Sequence, residues 1–111
     1  MITLEKLREY GADVEEGLIR CMNKEEFYLI LVGRAANDTR LEELEHQLRE
    51  HDLDGAFESA HALKGMYANL SLTPLSQPID EMTELLRNRT DTDYTVLMKE
   101  AKAQLARLGA L

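Results

Sequence analysis

Residues 54–70 read DGAFESAHALKGMYANL and carry the strongest structural signal in the chain. At about 100° per residue, a helix that begins at Asp54 and runs to about Leu70 has one apolar face. That face consists of Ala56, Ala60, Leu63, Tyr67 and Leu70. A second set of residues is spaced i, i+3, i+4, i+7 on the opposite side: His61, Lys64, Gly65 and Ala68. The pattern predicts an amphipathic helix that buries the first face and leaves an imidazole in water.

The exposed face places a lysine and a glycine one turn after a histidine. Glycine costs about 1 kcal/mol relative to alanine inside a helix, so Gly65 needs a compensating reason. An imidazole is nucleophilic near neutral pH, because its unperturbed pKa is about 6.5. A lysine one turn away neutralises phosphoryl oxygens, and a glycine leaves space for a second active site to approach. The alternative is that His61 and Lys64 only solvate the helix, and the spacing by itself leaves both interpretations open.

Residues 60–72, AHALKGMYANLSL, closely resemble the signature of histidine-containing phosphotransfer (HPt) domains of bacterial phosphorelays. In that family a His-x-Leu-Lys-Gly core lies on a long helix of a four-helix bundle. The resemblance implies that His61 is the phosphoryl acceptor, that Lys64 stabilises the phosphoryl group and that Gly65 provides access. We expect a partner to dock around the histidine on Phe57, Glu58 and Ala68, although Phe57 also suits the edge of a core.

The chain departs from the family pattern at two positions. Ser71 stands where many members have glycine, and Pro78 interrupts the start of the following helix. Some members also carry a glutamine or lysine on that helix, facing the histidine. On this helix, Thr83 lies near the position that would face His61, whereas Gln77 lies too close to the start of the helix. The sequence therefore does not identify the residue that supports the histidine.

Helix start and stop signals recur along the rest of the chain, and no stretch alternates apolar and polar residues long enough to predict a strand. The N-terminal third has a cap at Thr3 with a stop at Gly11, and capping boxes at Asp13 with Glu16 and at Asn23 with Glu26. Further helices are predicted from Asp38 to about His51, from Thr73 or Ser76 to near Asn88, and from Asp91–Asp93 to Gly109.

Short connections force consecutive helices to lie antiparallel. The sequence therefore predicts an all-α fold in which residues 38–108, approximately, form an up-down-up-down four-helix bundle. Short helices over about residues 3–37 would cover one end of it. We expect residues 1–111 to form a single domain, a size that buries enough surface to fold without disulfides or a structural metal.

Composition excludes several classes of function. The chain carries 13 Lys and Arg against 21 Asp and Glu, a formal charge of −8. An acidic chain has little electrostatic drive toward nucleic acid, and the densest basic spot is only Arg87-Asn88-Arg89. The longest apolar run, Tyr28 to Val32, is far shorter than the roughly 20 residues of a membrane helix, and no signal peptide opens the sequence. We therefore expect a cytoplasmic protein.

No cofactor or metal site is predicted. Cys21 is the single cysteine, which excludes an internal disulfide, and it suits a core position. His46 and His51 are five residues apart and so lie on different helix faces, unlike a helical metal pair. No glycine-rich loop could hold a nucleotide, so the chain has no kinase activity of its own.

We therefore predict a phosphocarrier that exchanges a phosphoryl group with the aspartate of response-regulator receiver domains. A hybrid sensor kinase is a further candidate partner, and Mg²⁺ is expected only in the receiver. We expect the carrier to be a monomer that binds neither nucleic acid nor membranes. Two alternatives remain: a non-catalytic helical adaptor, and a small histidine-dependent phosphohydrolase, for which the sequence supplies no clear second acid or anion pocket.

Overall fold

Seven α-helices and no strand make up the computed structural model, which describes residues 1–111. They are α1 (Leu4–Tyr10), α2 (Val14–Arg20), α3 (Glu25–Ala36), α4 (Arg40–Arg49), α5 (Leu53–Asn69), α6 (Thr73–Arg87) and α7 (Thr95–Gly109). The all-α prediction is confirmed.

Side-chain contacts between helices show the antiparallel order of the bundle. Lys64 in the C-terminal half of α5 pairs with Glu84 on α6. Asp54, near the start of α5, pairs instead with Arg89, just after α6. As residue numbers increase along α5, the residues they contact on the α6 side decrease in number, so the two helices are antiparallel. Because three-residue connections also join α4 to α5 and α5 to α6, helices α4 to α7 run up, down, up and down, as predicted.

Polar contacts join the first and last helices of this bundle. Lys102 on α7 donates to Glu45 on α4 at 3.0 Å. At the other end, His51 Nδ1 lies 3.2 Å from Asp91 Oδ1. These contacts bridge a groove of about 600 Å³ between α4 and α7.

The apolar face predicted for α5 lies in the core. Its members Ala56, Ala60, Leu63, Tyr67 and Leu70 are all buried. They belong to one cluster of 24 buried hydrophobic residues that includes side chains from every helix and also Cys21. Burial of this face fixes the rotation of α5 about its axis and therefore decides which residues point into water.

Two tyrosines attach the N-terminal helices to one end of the bundle. The Tyr28 hydroxyl on α3 donates to the carbonyl of Leu70 at 2.9 Å. The Tyr10 hydroxyl at the end of α1 donates to the carbonyl of Gln104 on α7, also at 2.9 Å. Desolvation raises the pKa of both tyrosines to about 12. Helices α1 to α3 therefore cover the end of the bundle formed by the α5–α6 turn and the C-terminal half of α7.

Capping signals of α1 and α2 are placed correctly by the sequence. The Thr3 side chain accepts from the backbone N–H of Lys6, and Gly11 ends α1 with φ = 112°. The Asp13 side chain accepts from the N–H of Glu16. The capping box predicted at Asn23 is wrong, because Asn23 belongs to the left-handed turn that ends α2, and α3 begins only at Glu25.

The starts of α4, α5 and α7 differ from the predicted ones. Helix α7 was predicted to begin at Asp91–Asp93 but begins at Thr95, whose N–H donates to the Asp93 carboxylate. Asp38 does accept from the N–H of Arg40, but α4 begins at Arg40. The residue that caps α5 is Asp52, whose carboxylate accepts from the N–H of Gly55, and Asp54 lies inside the first turn. Capping depends on which backbone N–H groups are free, and nearby aspartates compete for them.

Helix α6 begins at Thr73 and not at Ser76. The N–H of Ser76 donates to the carbonyl of Leu72, which places Ser76 inside the first turn. Pro78 lies within the helix and is buried, so the expected interruption does not occur. Only one intrahelical hydrogen bond is lost there, and the buried ring packs in the interior instead.

Ser71 ends α5 in the left-handed conformation, with φ = 54°. The N–H of Leu72 reaches back to the carbonyl of Tyr67, the bond that closes a Schellman turn. The Ser71 hydroxyl is buried without a hydrogen-bond partner. Glycine suits such a position better, because a Cβ there costs roughly 1–2 kcal/mol. This backbone conformation accounts for the glycine that occurs here in the pattern that residues 60–72 resemble.

We predict that Ser71→Gly raises the unfolding free energy by about 0.5–1 kcal/mol, since relief of the left-handed backbone exceeds the entropy that glycine loses on folding. Thermal unfolding should shift upward by a few degrees. Ser71→Ala is the matched control: it removes the same hydroxyl but keeps the Cβ. If glycine is no more stable than alanine here, the backbone explanation is wrong.

Candidate functional site

His61 lies on the solvent side of α5, opposite the buried face, and is exposed. Phe57, one turn earlier, stacks on its imidazole with ring centroids 5.7 Å apart and an interplanar angle of 24°. Phe57 is half-buried and packs against the core cluster. It therefore contributes both to the edge of the core and to the surface around the histidine, the two roles that the sequence left open.

Two arginines from the end of α6 cover Phe57. The guanidinium carbons of Arg87 and Arg89 lie 5.2 and 5.0 Å from its ring centroid, within cation–π range. Arg89 is also held by the carboxylate of Asp54 and donates to the carbonyl of Leu86 at 2.8 Å. The helix end thus places two cations beside the aromatic neighbour of His61.

Glu84 connects the predicted lysine to one of these arginines. Its Oε1 lies 3.5 Å from Lys64 Nζ, and its Oε2 lies 3.4 Å from Arg87 Nε. All three side chains are partly in solvent, where an ion pair contributes only about 0–1 kcal/mol. Lys64 is therefore oriented but not locked, and its ammonium can turn toward an anion that arrives at His61.

Gly65 lies on the exposed face, and a Cβ built on it meets no atom within 4 Å. Internal packing therefore does not require glycine at this position. Ala68, on the same face, and Glu58, next to Phe57, are also exposed. All six residues that the sequence proposed for catalysis and docking thus lie on α5 and are at least partly exposed.

Thr83 does not support the histidine. It is fully buried, and its hydroxyl donates to the carbonyl of Ile79 at 2.7 Å, so it faces the core. Gln77 is exposed at the other end of α6. The α6 residue that contacts the predicted lysine is Glu84, one position after Thr83.

No sequence pattern indicates Glu84, Arg87 or Arg89 as parts of the site. In the sequence, residues 87–89 are only a basic segment too short to predict nucleic-acid binding. The three-residue turn between α5 and α6 was the usable signal, because it fixes which residues of α6 lie beside His61. Only the structure shows how far those side chains reach across the interface.

The other two histidines are exposed and lie elsewhere, His46 on α4 and His51 at its end. No group of three or more His, Cys, Asp or Glu side chains converges as a metal site would require, and no helix is long and apolar enough to cross a membrane. The groove between α4 and α7 and a second groove beside α3, each about 600 Å³, contain none of the site residues. The surface around His61 therefore lies outside both grooves.

Comparison with known proteins gives one match. The family model described as the Hpt domain matches residues 33–111, which include all four helices of the bundle and the end of α3. No curated protein and no solved structure matches the chain.

We predict that Gly65→Ala raises the unfolding free energy by about 1 kcal/mol, because the added methyl enters open space and removes the glycine penalty. Gly17→Ala is the matched control on α2, where a Cβ would lie 2.6 Å from the ring of the fully buried Tyr28. That variant should lose about 1–3 kcal/mol. Chemical denaturation of both variants measures the difference. Destabilisation by Gly65→Ala would mean that the glycine serves packing.

Proposed function

The chain belongs to the Hpt family, whose members take part in histidine phosphotransfer in two-component signalling, and from this premise we propose that it is a phosphocarrier acting through His61. It would accept a phosphoryl group from the phospho-aspartate of one receiver domain and donate it to the aspartate of another. The observation that carries the proposal is the exposed imidazole with Lys64 one turn away and open space at Gly65.

In the accepting step, the unprotonated ring nitrogen of His61 attacks the phosphorus of the receiver's acyl phosphate. A P–N bond forms as the P–O bond to the aspartate breaks, and the aspartate leaves as a carboxylate. The other ring nitrogen keeps its proton throughout. Donation to a second receiver is the reverse of this step, so no nucleotide and no general acid of this chain is consumed.

Lys64 would stabilise charge on the phosphoryl oxygens during transfer. Positioned cations lower a barrier when charge develops close to them. Before a partner binds, Glu84 Oε1 lies 3.5 Å from Lys64 Nζ. The charge of the lysine is therefore paired in the free protein. Exchange of Glu84 for the phosphoryl group would require the partly exposed Lys64 side chain to reorient toward His61.

The surface around His61 suits a partner whose active site is acidic. A receiver site presents carboxylates and is expected to bring the Mg²⁺ that organises the phosphoryl group. Arg87 and Arg89 lie over Phe57, the ring that stacks on His61, and they offset the carboxylates of Glu84 and Asp54 on a chain whose net charge is −8. Phe57 adds an apolar contact between them, and the exposed Glu58 and Ala68 extend the docking surface. Exchange with receiver domains would place the carrier in the cytoplasm.

We expect the protein to become labelled when it is incubated with a ³²P-phosphorylated receiver domain, and the label to be lost in acid but stable in base. That lability is typical of a phosphoramidate and not of an acyl phosphate or a phosphoester. His61→Gln should abolish the labelling without changing the circular dichroism spectrum.

The other histidines provide matched controls. His46→Gln and His51→Gln should be labelled as the wild type is, because both side chains lie on α4 or at its end. Labelling that survives His61→Gln, or that is lost in one of these controls, would contradict the assignment of His61. A non-catalytic adaptor would bind the receiver and remain unlabelled.

Gly65→Gln should slow phosphotransfer by at least a hundredfold while the melting temperature holds or rises. A glutamine extends into the space through which the receiver approaches, and the reacting atoms must come within about 3–3.5 Å of each other. Gly65→Ala is the control for size, with an intermediate transfer rate. Phosphotransfer rates and melting curves measured on the same samples show whether slower transfer results from blocked access or from loss of stability. A stable Gly65→Gln protein with wild-type transfer would show that the open space is not used.

A further inference from the structure

Helix α3 is apolar on two sides. Tyr28, Val32 and Ala35 are buried against the rest of the protein. On the other side, Phe27 and Ile30 are 44% and 47% exposed. Helices in monomeric proteins generally show one apolar face and one polar face, so this second apolar face lacks a covering partner.

The uncovered face continues into a groove of about 610 Å³ between α3 and the N-terminus of the chain. Its apolar lining comes from Met1, Ile2, Leu29 and Ile30, and Gly33 opens one side of it. A Cβ built on Gly33 meets no atom within 4 Å, so the backbone there is accessible to a close approach. The face therefore offers both projecting side chains and a depression to receive others.

We propose that a second copy of this chain covers the face, with the two α3 helices packed antiparallel about Ile30. In this register, residues equally far before and after Ile30 meet, so Glu26 of each copy lies level with Arg34 of the other. Both residues are exposed and have no ion-pair partner within their own chain. Phe27 of one copy lies level with Gly33 of the other.

Charge complementarity argues for this arrangement over the parallel one. Parallel helices would place Glu26 against Glu26 and Arg34 against Arg34, and like charges repel. The antiparallel pair instead forms two identical oppositely charged contacts, as a two-fold interface requires. The proposed dimer differs from the monomer that the sequence predicts.

The dimer should be weak. Helix α3 has 12 residues and is about 18 Å long, so the paired helices bury less surface than a standard interface of about 1,600 Å². A dissociation constant of about 10–500 μM is expected for such a contact. The dimer would therefore respond to protein concentration.

This interface leaves the histidine surface open. Tyr28 faces the bundle and bonds to Leu70, which lies nine residues, or about 13 Å, beyond His61 along α5. Phe27 and Ile30 lie on the opposite side of α3. Dimerisation and phosphotransfer are therefore separable in an experiment.

Sedimentation velocity of the full chain from about 10 μM to 1 mM should show a reversible monomer–dimer equilibrium. Ile30→Glu places like charges at the centre of the interface and should raise the dissociation constant at least tenfold. Val96→Glu is the matched control, because Val96 is 79% exposed on α7 and lies outside the interface. It should dimerise as the wild type does.

Charge exchange tests the register. Glu26→Arg and Arg34→Glu should each weaken the dimer several-fold, and the double variant should restore it. All variants should accept phosphate on His61 at the wild-type rate. A wild type that stays monomeric at 1 mM overturns the proposal and leaves the face to another partner. Dimers unaffected by Ile30→Glu, or a double variant weaker than both single ones, overturn it as well. None of these results bears on the phosphocarrier proposal, which stands on the labelling of His61.

Discussion

The structure depends on the two-sided character of α5. One side supplies Ala56, Ala60, Leu63 and Tyr67 to the core, and each is fully buried. Tight packing on that side holds the helix in one rotation, because interiors tolerate little change in volume or side-chain position. The exposed side therefore inherits its geometry from the core. His61 needs no supporting hydrogen bond to stay in place, since its backbone is fixed by the burial of Ala60 and its ring rests on Phe57.

The cations around the site are held by many weak contacts. Arg87 and Arg89 both lie over the Phe57 ring. Glu84 also pairs with Arg87, and Arg89 is held by Asp54 and by the carbonyl of Leu86. None of these contacts would contribute much by itself in water, because exposed ion pairs and cation–π contacts are each worth about 1 kcal/mol or less. Their effect is a local balance of charge on an acidic chain, since Lys64, Arg87 and Arg89 offset the carboxylates of Asp54, Glu58 and Glu84. Long-range repulsion between two acidic proteins would otherwise slow their encounter.

The sequence predicted features set by neighbouring residues, such as helix faces and some caps. It did not predict contacts between residues that are far apart in the chain. Periodicity gave the buried and exposed faces of α5, and the caps at Thr3 and Asp13 were correct. The starts of α3, α4, α5 and α7 were misplaced, since several nearby residues compete for the same free N–H groups. His61, Lys64 and Gly65 were found because they share one helix. Arg87 and Arg89 were not, because their place beside Phe57 depends on the register of two helices, which no local pattern encodes.

Two residues near the site are not those that the local backbone favours: one is a glycine where alanine is favoured, and the other is an arginine where glycine is favoured. Gly65 occupies a helix interior, where alanine would be more favourable by about 1 kcal/mol. Arg89 occupies the left-handed position after α6, with φ = 51°, where glycine would be more favourable. Conflicts between local preference and the residue present concentrate at functional sites. At Gly65 the missing side chain leaves space beside the imidazole. At Arg89 the present side chain reaches Phe57, Asp54 and the Leu86 carbonyl at once. Both residues lie near His61. Gly65 leaves space beside the imidazole and Arg89 contributes a cation over Phe57, and each lowers the local stability of the backbone.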